Sequence, residues 1–107
     1  MKDTIKVIIK RPDEKYGHVT QIKNTLERLQ NTVNGYIETI PVTSDSVIIC
    51  NENGKIDRLQ RNFKFGKEFF DIICGTVIVC GTDGEDFCDV PFDFQFWKKL
   101  LMDWGNT

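Results

Sequence analysis

The residues able to do chemistry are few and scattered. His18 is the one histidine, so a Ser-His-Asp or Cys-His arrangement would have to use it. It lies in a short polar segment with no nucleophile tied to it, and no catalytic residue is assigned. Cys50, Cys74, Cys80 and Cys88 have no C-x-x-C spacing and no neighbouring histidine. They read as buried, reduced thiols that pack as small hydrophobes. The acidic run Asp83, Glu85, Asp86, Asp89 and Asp93 could attract a cation or a basic partner, but reads as a solvated loop with one residue capping a helix. The stretch "NENG" (residues 51–54) is no EF-hand loop. With Gly54 as the sixth residue, the first is Ile49 and the twelfth is Gln60, and neither can act as a carboxylate ligand. It is no phosphate loop either, because Gly54-Lys55 is followed by Ile56 and has no glycine five residues upstream. Neither a metal nor a cofactor is implied.

The strongest ligand candidate is basic. Lys55, Arg58, Arg61, Lys64 and Lys67 outnumber Glu52 and Asp57, with Asn62, Phe63 and Phe65 interleaved. Guanidinium groups can hold a phosphate bidentately, and an aromatic ring can stack a base. The candidate binding residues are therefore Tyr36, Arg58, Arg61, Asn62, Lys64 and Phe65. Arg58, Arg61 and Lys64 would take phosphate, and Tyr36 or Phe65 would stack.

The elements that must position these residues follow from periodicity. In "TIKVIIK", Ile5, Val7 and Ile9 share one face of a strand, and Lys6 and Lys10 share the other. "HVTQI" is its hairpin partner. Leu26, Leu29 and Val33 recur at helical spacing after Asn24, which is placed to cap, and Asn34-Gly35 is a left-handed stop. "YIETIPV" and "SVIIC" are strands. Asn53-Gly54 signals a type I′ hairpin into "KIDRL". Residues 61–67 show no clean period and read as a loop. "DIICGTVIVC" is apolar on both faces and reads as one central strand, with Gly75 marking a bulge or a close approach. Asp93 caps a final helix with Phe94, Trp97, Leu100, Leu101 and Trp104 in one stripe. Phe96 and Met102 fall at or beyond the edge of that stripe and suggest a partner or homo-oligomer contact. The expected fold is α+β, a largely antiparallel sheet of five or six strands with two helices, in a single domain over residues 1–107.

The bulk composition excludes some function classes. The chain is 40% hydrophobic and 28% charged, which is enough for one core and argues against disorder. A net charge of −2 makes no general demand for nucleic acid or an anionic membrane. No apolar run is long enough to span a bilayer, and the alternating N-terminus lacks a signal-peptide pattern, so a cytoplasmic setting without membrane contact is expected.

Taken together, Leu26-Glu27-x-Leu29-Gln30, Gly35-Tyr36-Ile37-Glu38, Cys50-Asn51-Glu52-x-Gly54-Lys55, Arg61-Asn62, Ile73-x-Gly75-Thr76 and Gly81 with Asp86-Phe87 resemble a family known as domain of unknown function 3846. The resemblance runs from the first strand to residue 87. The segment after Pro91 is richer in aromatics than it implies. It implies a setting in bacteriophages and other mobile elements, inside a host bacterial cell, and no enzyme activity. A small protein there is expected to antagonise host defence stoichiometrically. It would block an immune effector such as a CRISPR nuclease or sequester a signalling nucleotide. The alternative is a nucleic-acid-binding accessory protein.

Overall fold

In a computed structural model, the chain is described over residues 3–65 and 71–105. Lys67 of the basic stretch lies outside the described residues. The elements run β1 (Thr4–Lys10), β2 (His18–Lys23), α1 (Leu26–Val33), β3 (Ile37–Thr43), β4 (Ser46–Asn51), β5 (Arg61–Phe65), β6 (Asp71–Cys74), β7 (Val77–Thr82), β8 (Phe87–Cys88) and α2 (Phe94–Gly105). The main sheet is antiparallel, ordered β2-β1-β7-β4-β3, with β8 also paired to β7. A second antiparallel sheet holds β5 and β6. This is the α+β fold expected. β3 is an edge strand, which is why it tolerates Pro41 and a register shift between Pro41 and Thr43.

The main sheet is buried on both faces. On one, Ile5, Val7, Ile9, Val47, Ile49, Ile78 and Cys80 pack with Leu29 and Val33 of α1. On the other, Ile8, Ile48, Val77 and Val79 pack with Phe63 and Ile73 of the small sheet and with Trp97 and Leu101 of α2. Trp97 is fully buried, and its indole N–H donates to the Pro91 carbonyl at 2.5 Å, so its polar end has a partner. Burying a large apolar side chain of this kind contributes roughly 1.5–3 kcal/mol.

Both helices begin, and α1 ends, as side-chain chemistry dictates. Thr25, one residue later than the expected Asn24, caps α1 by accepting from the Arg28 N–H at 3.2 Å. Asn24 instead donates to the Phe87 carbonyl. Asn34 closes α1 in the left-handed conformation (φ 64°), and the Gly35 N–H reaches back to the Gln30 carbonyl. Asp93 caps α2 by accepting from the Phe96 N–H at 3.0 Å. Leu26, expected in the buried stripe of α1, points outward and is 57% exposed.

Three local expectations are corrected. Asn53-Gly54 makes no hairpin. Asp57 N–H bonds to the Asn53 carbonyl, Arg58 N–H to Lys55 and Leu59 N–H to Gly54, with Arg58 left-handed at φ 58°. That pattern is one helical turn closed by a Schellman cap. "KIDRL" is therefore turn, not strand. Gly54 is needed for space, because a Cβ there would sit 2.8 Å from the Cys74 carbonyl. Residues 61–65, expected as loop, form β5, whose bulge at Asn62 disguises its alternation. "DIICGTVIVC" is two strands in two sheets. Gly75, at φ 86° and against Leu59, turns the chain between them.

Candidate functional site

The residues nominated by sequence separate in the fold. Asn62 is buried and structural. It donates to the Lys10 carbonyl at 2.9 Å and to the Gly75 carbonyl at 2.8 Å, while its Oδ1 accepts from Lys10 Nζ at 2.5 Å. Phe65 is half-buried and edge-on to Trp104, with centroids 5.0 Å apart. Lys64 is half-buried opposite Ile72. Arg58 is exposed on the left-handed corner of its turn, and Arg61 is exposed at the start of β5. Lys55 pairs with Asp71. Tyr36 is 69% exposed just after the α1 cap, and its carbonyl accepts from the Glu52 N–H.

Two side chains have their roles fixed by hydrogen bonds. Asn51 donates to the Val33 and Asn34 carbonyls at 3.0 and 3.1 Å, and accepts from the Asn53 N–H at 2.7 Å. It thereby satisfies carbonyls that the end of α1 leaves unpaired. A Cβ at Gly35 would come within 2.7 Å of the Asn51 amide, so the glycine makes room for this clasp. Lys10, placed by alternation on an open strand face, is instead only 2% exposed. The second sheet and α2 cover that face. Burial lowers its pKa, opposed by the charges of Glu14 and Asp13.

Other titratable groups are similarly committed. His18 Nδ1 lies 3.2 Å from Glu14 Oε2. Burial alone would push the Glu14 carboxyl up, but the Arg11 N–H and the His18 ring hold it below its ordinary value. The thiols of Cys50 and Cys80 are pushed up to about 11 and about 12 by burial, so they are not thiolates at neutral pH. All four cysteines are reduced, with Cys74 and Cys88 half-buried. Asp89 accepts from the Lys6 N–H, and Asp93 caps α2. Among the described residues, no group of three or more His, Cys, Asp and Glu comes together to hold a metal ion.

A different polar cluster forms where α1 meets the ends of β1 and β7. Arg11, Arg28, Asn31, Thr32 and Thr76 line a hollow of about 360 Å³ floored by Ile9. Arg11 Nη1 is 4.0 Å from Glu14 Oε1, at the limit of an ion pair. Among the described residues, no carboxylate lies within 4 Å of the Arg28 guanidinium. Asn31 also lines a second hollow of about 410 Å³, with Gln30, Asn34, Gly35 and Tyr36. The two hollows share the exposed Asn31 of α1. Arg28, Asn31 and Thr32 are legible from sequence as one helix face. Arg11 and Thr76 join them only through the pairing of β1 with β7.

These features define a small α+β protein with polar side chains lining hollows beside α1. The chain belongs to the family described as Domain of unknown function (DUF3846), whose model matches residues 5–101. The match continues past residue 87 into α2, so most of the aromatic helix belongs to the family domain. Neither a curated protein nor a solved structure matches the chain. No helix among the described residues is long and apolar enough to cross a membrane.

Proposed function

We propose that this protein acts by stoichiometric binding, without turnover, of a small phosphate-bearing molecule held at the Arg11–Arg28 hollow. The observation that carries this reading is the convergence of two arginines on one hollow with three neutral hydrogen-bonding side chains. The Arg28 guanidinium, with no close carboxylate among the described residues, and the exposed Arg11 guanidinium, which Glu14 borders at 4.0 Å, are suited to bidentate phosphate recognition. A net charge of −2 favours a small anion over a long polyanion. In the mobile-element setting that the family resemblance implies, the ligand would be a signalling molecule of host defence in the bacterial cytoplasm. The reading needs no catalytic group, in keeping with a histidine engaged by Glu14 and thiols that stay protonated.

The test is native mass spectrometry of the protein titrated with inorganic pyrophosphate. Binding at one site per chain, weakened roughly tenfold or more by Arg28→Gln, is expected. No binding, or binding unchanged by that substitution, contradicts the reading.

A second reading has its own observation. Phe92 and Phe96 are 56% and 42% exposed with rings 4.7 Å apart, and Phe92 holds a positive φ of 65°, unusual for a bulky residue. An exposed aromatic pair at the start of α2 suits a protein contact, with an immune effector or with a second copy. A stable complex or dimer lost on Phe96→Ser would favour it. Nucleic-acid binding through Arg58 and Arg61 would show as affinity falling steeply with salt.

A further inference from the structure

We infer that the molecule bound at the Arg11–Arg28 hollow is a free nucleotide, with its phosphate between the arginines and its base on Tyr36. The inference rests on the reading proposed above. It adds the second hollow, which shares Asn31 with the first.

Tyr36 is the most exposed aromatic ring among the described residues, yet its backbone is tightly held. Its carbonyl accepts from the Glu52 N–H at 2.9 Å. The turn before it is clasped by Asn51, which bonds to Val33 and Asn34 on one side and takes the Asn53 N–H on the other. Gly35 is kept free of a Cβ by that clasp. A ring on a fixed backbone is a stacking platform that loses little freedom on binding. The amides of Gln30, Asn31 and Asn34 line the same hollow. Each offers an amide N–H donor beside a carbonyl acceptor, complementary to the acceptor and donor pairs on base edges. Asn31 touches both hollows and can bond to the sugar or the phosphate that joins them. Thr32 Oγ1 donates to the Arg28 carbonyl at 2.8 Å, so towards a phosphate it serves through its position beside the guanidinium, not as a free donor.

The arrangement differs from a nucleic-acid groove. The two arginines line one hollow and Tyr36 the other, with Asn31 lining both, so one phosphate group and one base complete it. A strand would need cations repeated along its path.

The experiment is isothermal titration calorimetry of the full chain with pyrophosphate, with the common nucleoside diphosphates and with a short single-stranded oligonucleotide. Wild type, Tyr36→Phe and Tyr36→Ala are compared. Tyr36 is so exposed that neither substitution should disturb folding, which a thermal melt checks. At least one nucleoside diphosphate should bind more tightly than pyrophosphate. Tyr36→Ala should weaken that nucleotide roughly tenfold and leave pyrophosphate unchanged, while Tyr36→Phe keeps the affinity. If pyrophosphate binds and no nucleotide binds better, the base site is wrong and the anion site stands. If neither binds, both readings fall. Tighter binding of the oligonucleotide than of any nucleotide overturns the assignment to a free nucleotide.

Discussion

The two faces of the main sheet are covered in different ways. The α2 face is a deep layer: a twelve-residue helix, the small β5–β6 sheet, and rings that stack on one another. Phe63 lies nearly parallel to Trp104 at 5.4 Å, and Phe65 meets the same ring edge-on. Even a cation, Lys10, is enclosed there between Asn62 and the Phe63 ring. The α1 face is thin: an eight-residue helix that buries only Leu29 and Val33. Apart from the exposed Leu26, its remaining side chains are polar and face outward or line the hollows. Adjacent residues Lys10 and Arg11 mark the boundary, since one cation is almost wholly enclosed, at the edge of a hollow with Glu14 and Asn62, and the next opens onto the hollow beside α1. Both faces bury an apolar cluster, but the large aromatic rings pack under α2, and the hollows proposed as the site lie beside α1.

The largest effect expected from breaking this contrast is Trp97→Ala. It should cost about 3–5 kcal/mol, the range for emptying a buried aromatic site, read by urea unfolding. Next is Asn62→Leu, which strands the Lys10 and Gly75 carbonyls and the buried ammonium. A loss of about 1–3 kcal/mol is expected.

Lys10 also predicts a pH dependence. Its folded pKa lies below the ordinary lysine value, so between the two the unfolded chain holds more protons. Its contribution to stability therefore rises as pH rises through that window towards 10.5. Cys50 and Cys80 act in the opposite sense, because raised thiol values lose stability as pH climbs above 9. Lys10→Met should remove only the rising component, so comparing unfolding of the two proteins between neutral and alkaline pH isolates it.

Smaller effects sharpen the comparison. Arg58→Gly should stabilise by about 1 kcal/mol, by relieving a left-handed non-glycine residue on an exposed turn. Arg28→Gln should change stability by no more than about 0.5 kcal/mol, as for a surface position without structural partners, while abolishing most phosphate binding. A large loss of stability in that variant would make Arg28 part of the framework and not of a site.

Much of the architecture was legible in the chain. The alternation of Ile5, Val7 and Ile9, the Asn34-Gly35 stop, the Asp93 cap and the stripe from Phe94 to Trp104 are local signals, and each appears where expected. Gly75 was legible as a special position, but not as the junction of two sheets, because apolar residues run on both sides of it. Lys10 was misplaced because alternation reports a strand's faces and not what a second layer puts over them. The basic stretch looked like a site because charge and aromatics were close in sequence. In the fold, Asn62 and Phe65 turn inward and Arg58 and Arg61 outward. The Arg11–Arg28 hollow needed strands and a helix distant in sequence, which no local pattern encodes.

The most direct test of the account is a titration of the ¹⁵N-labelled protein with inorganic pyrophosphate, followed by amide chemical shifts. Shifts clustered at Arg11, Arg28, Asn31, Thr32 and Thr76 are predicted, with the turn around Arg58 and the start of β5 unmoved. Shifts confined to Arg58, Arg61 and Lys64, or none at all, would contradict it.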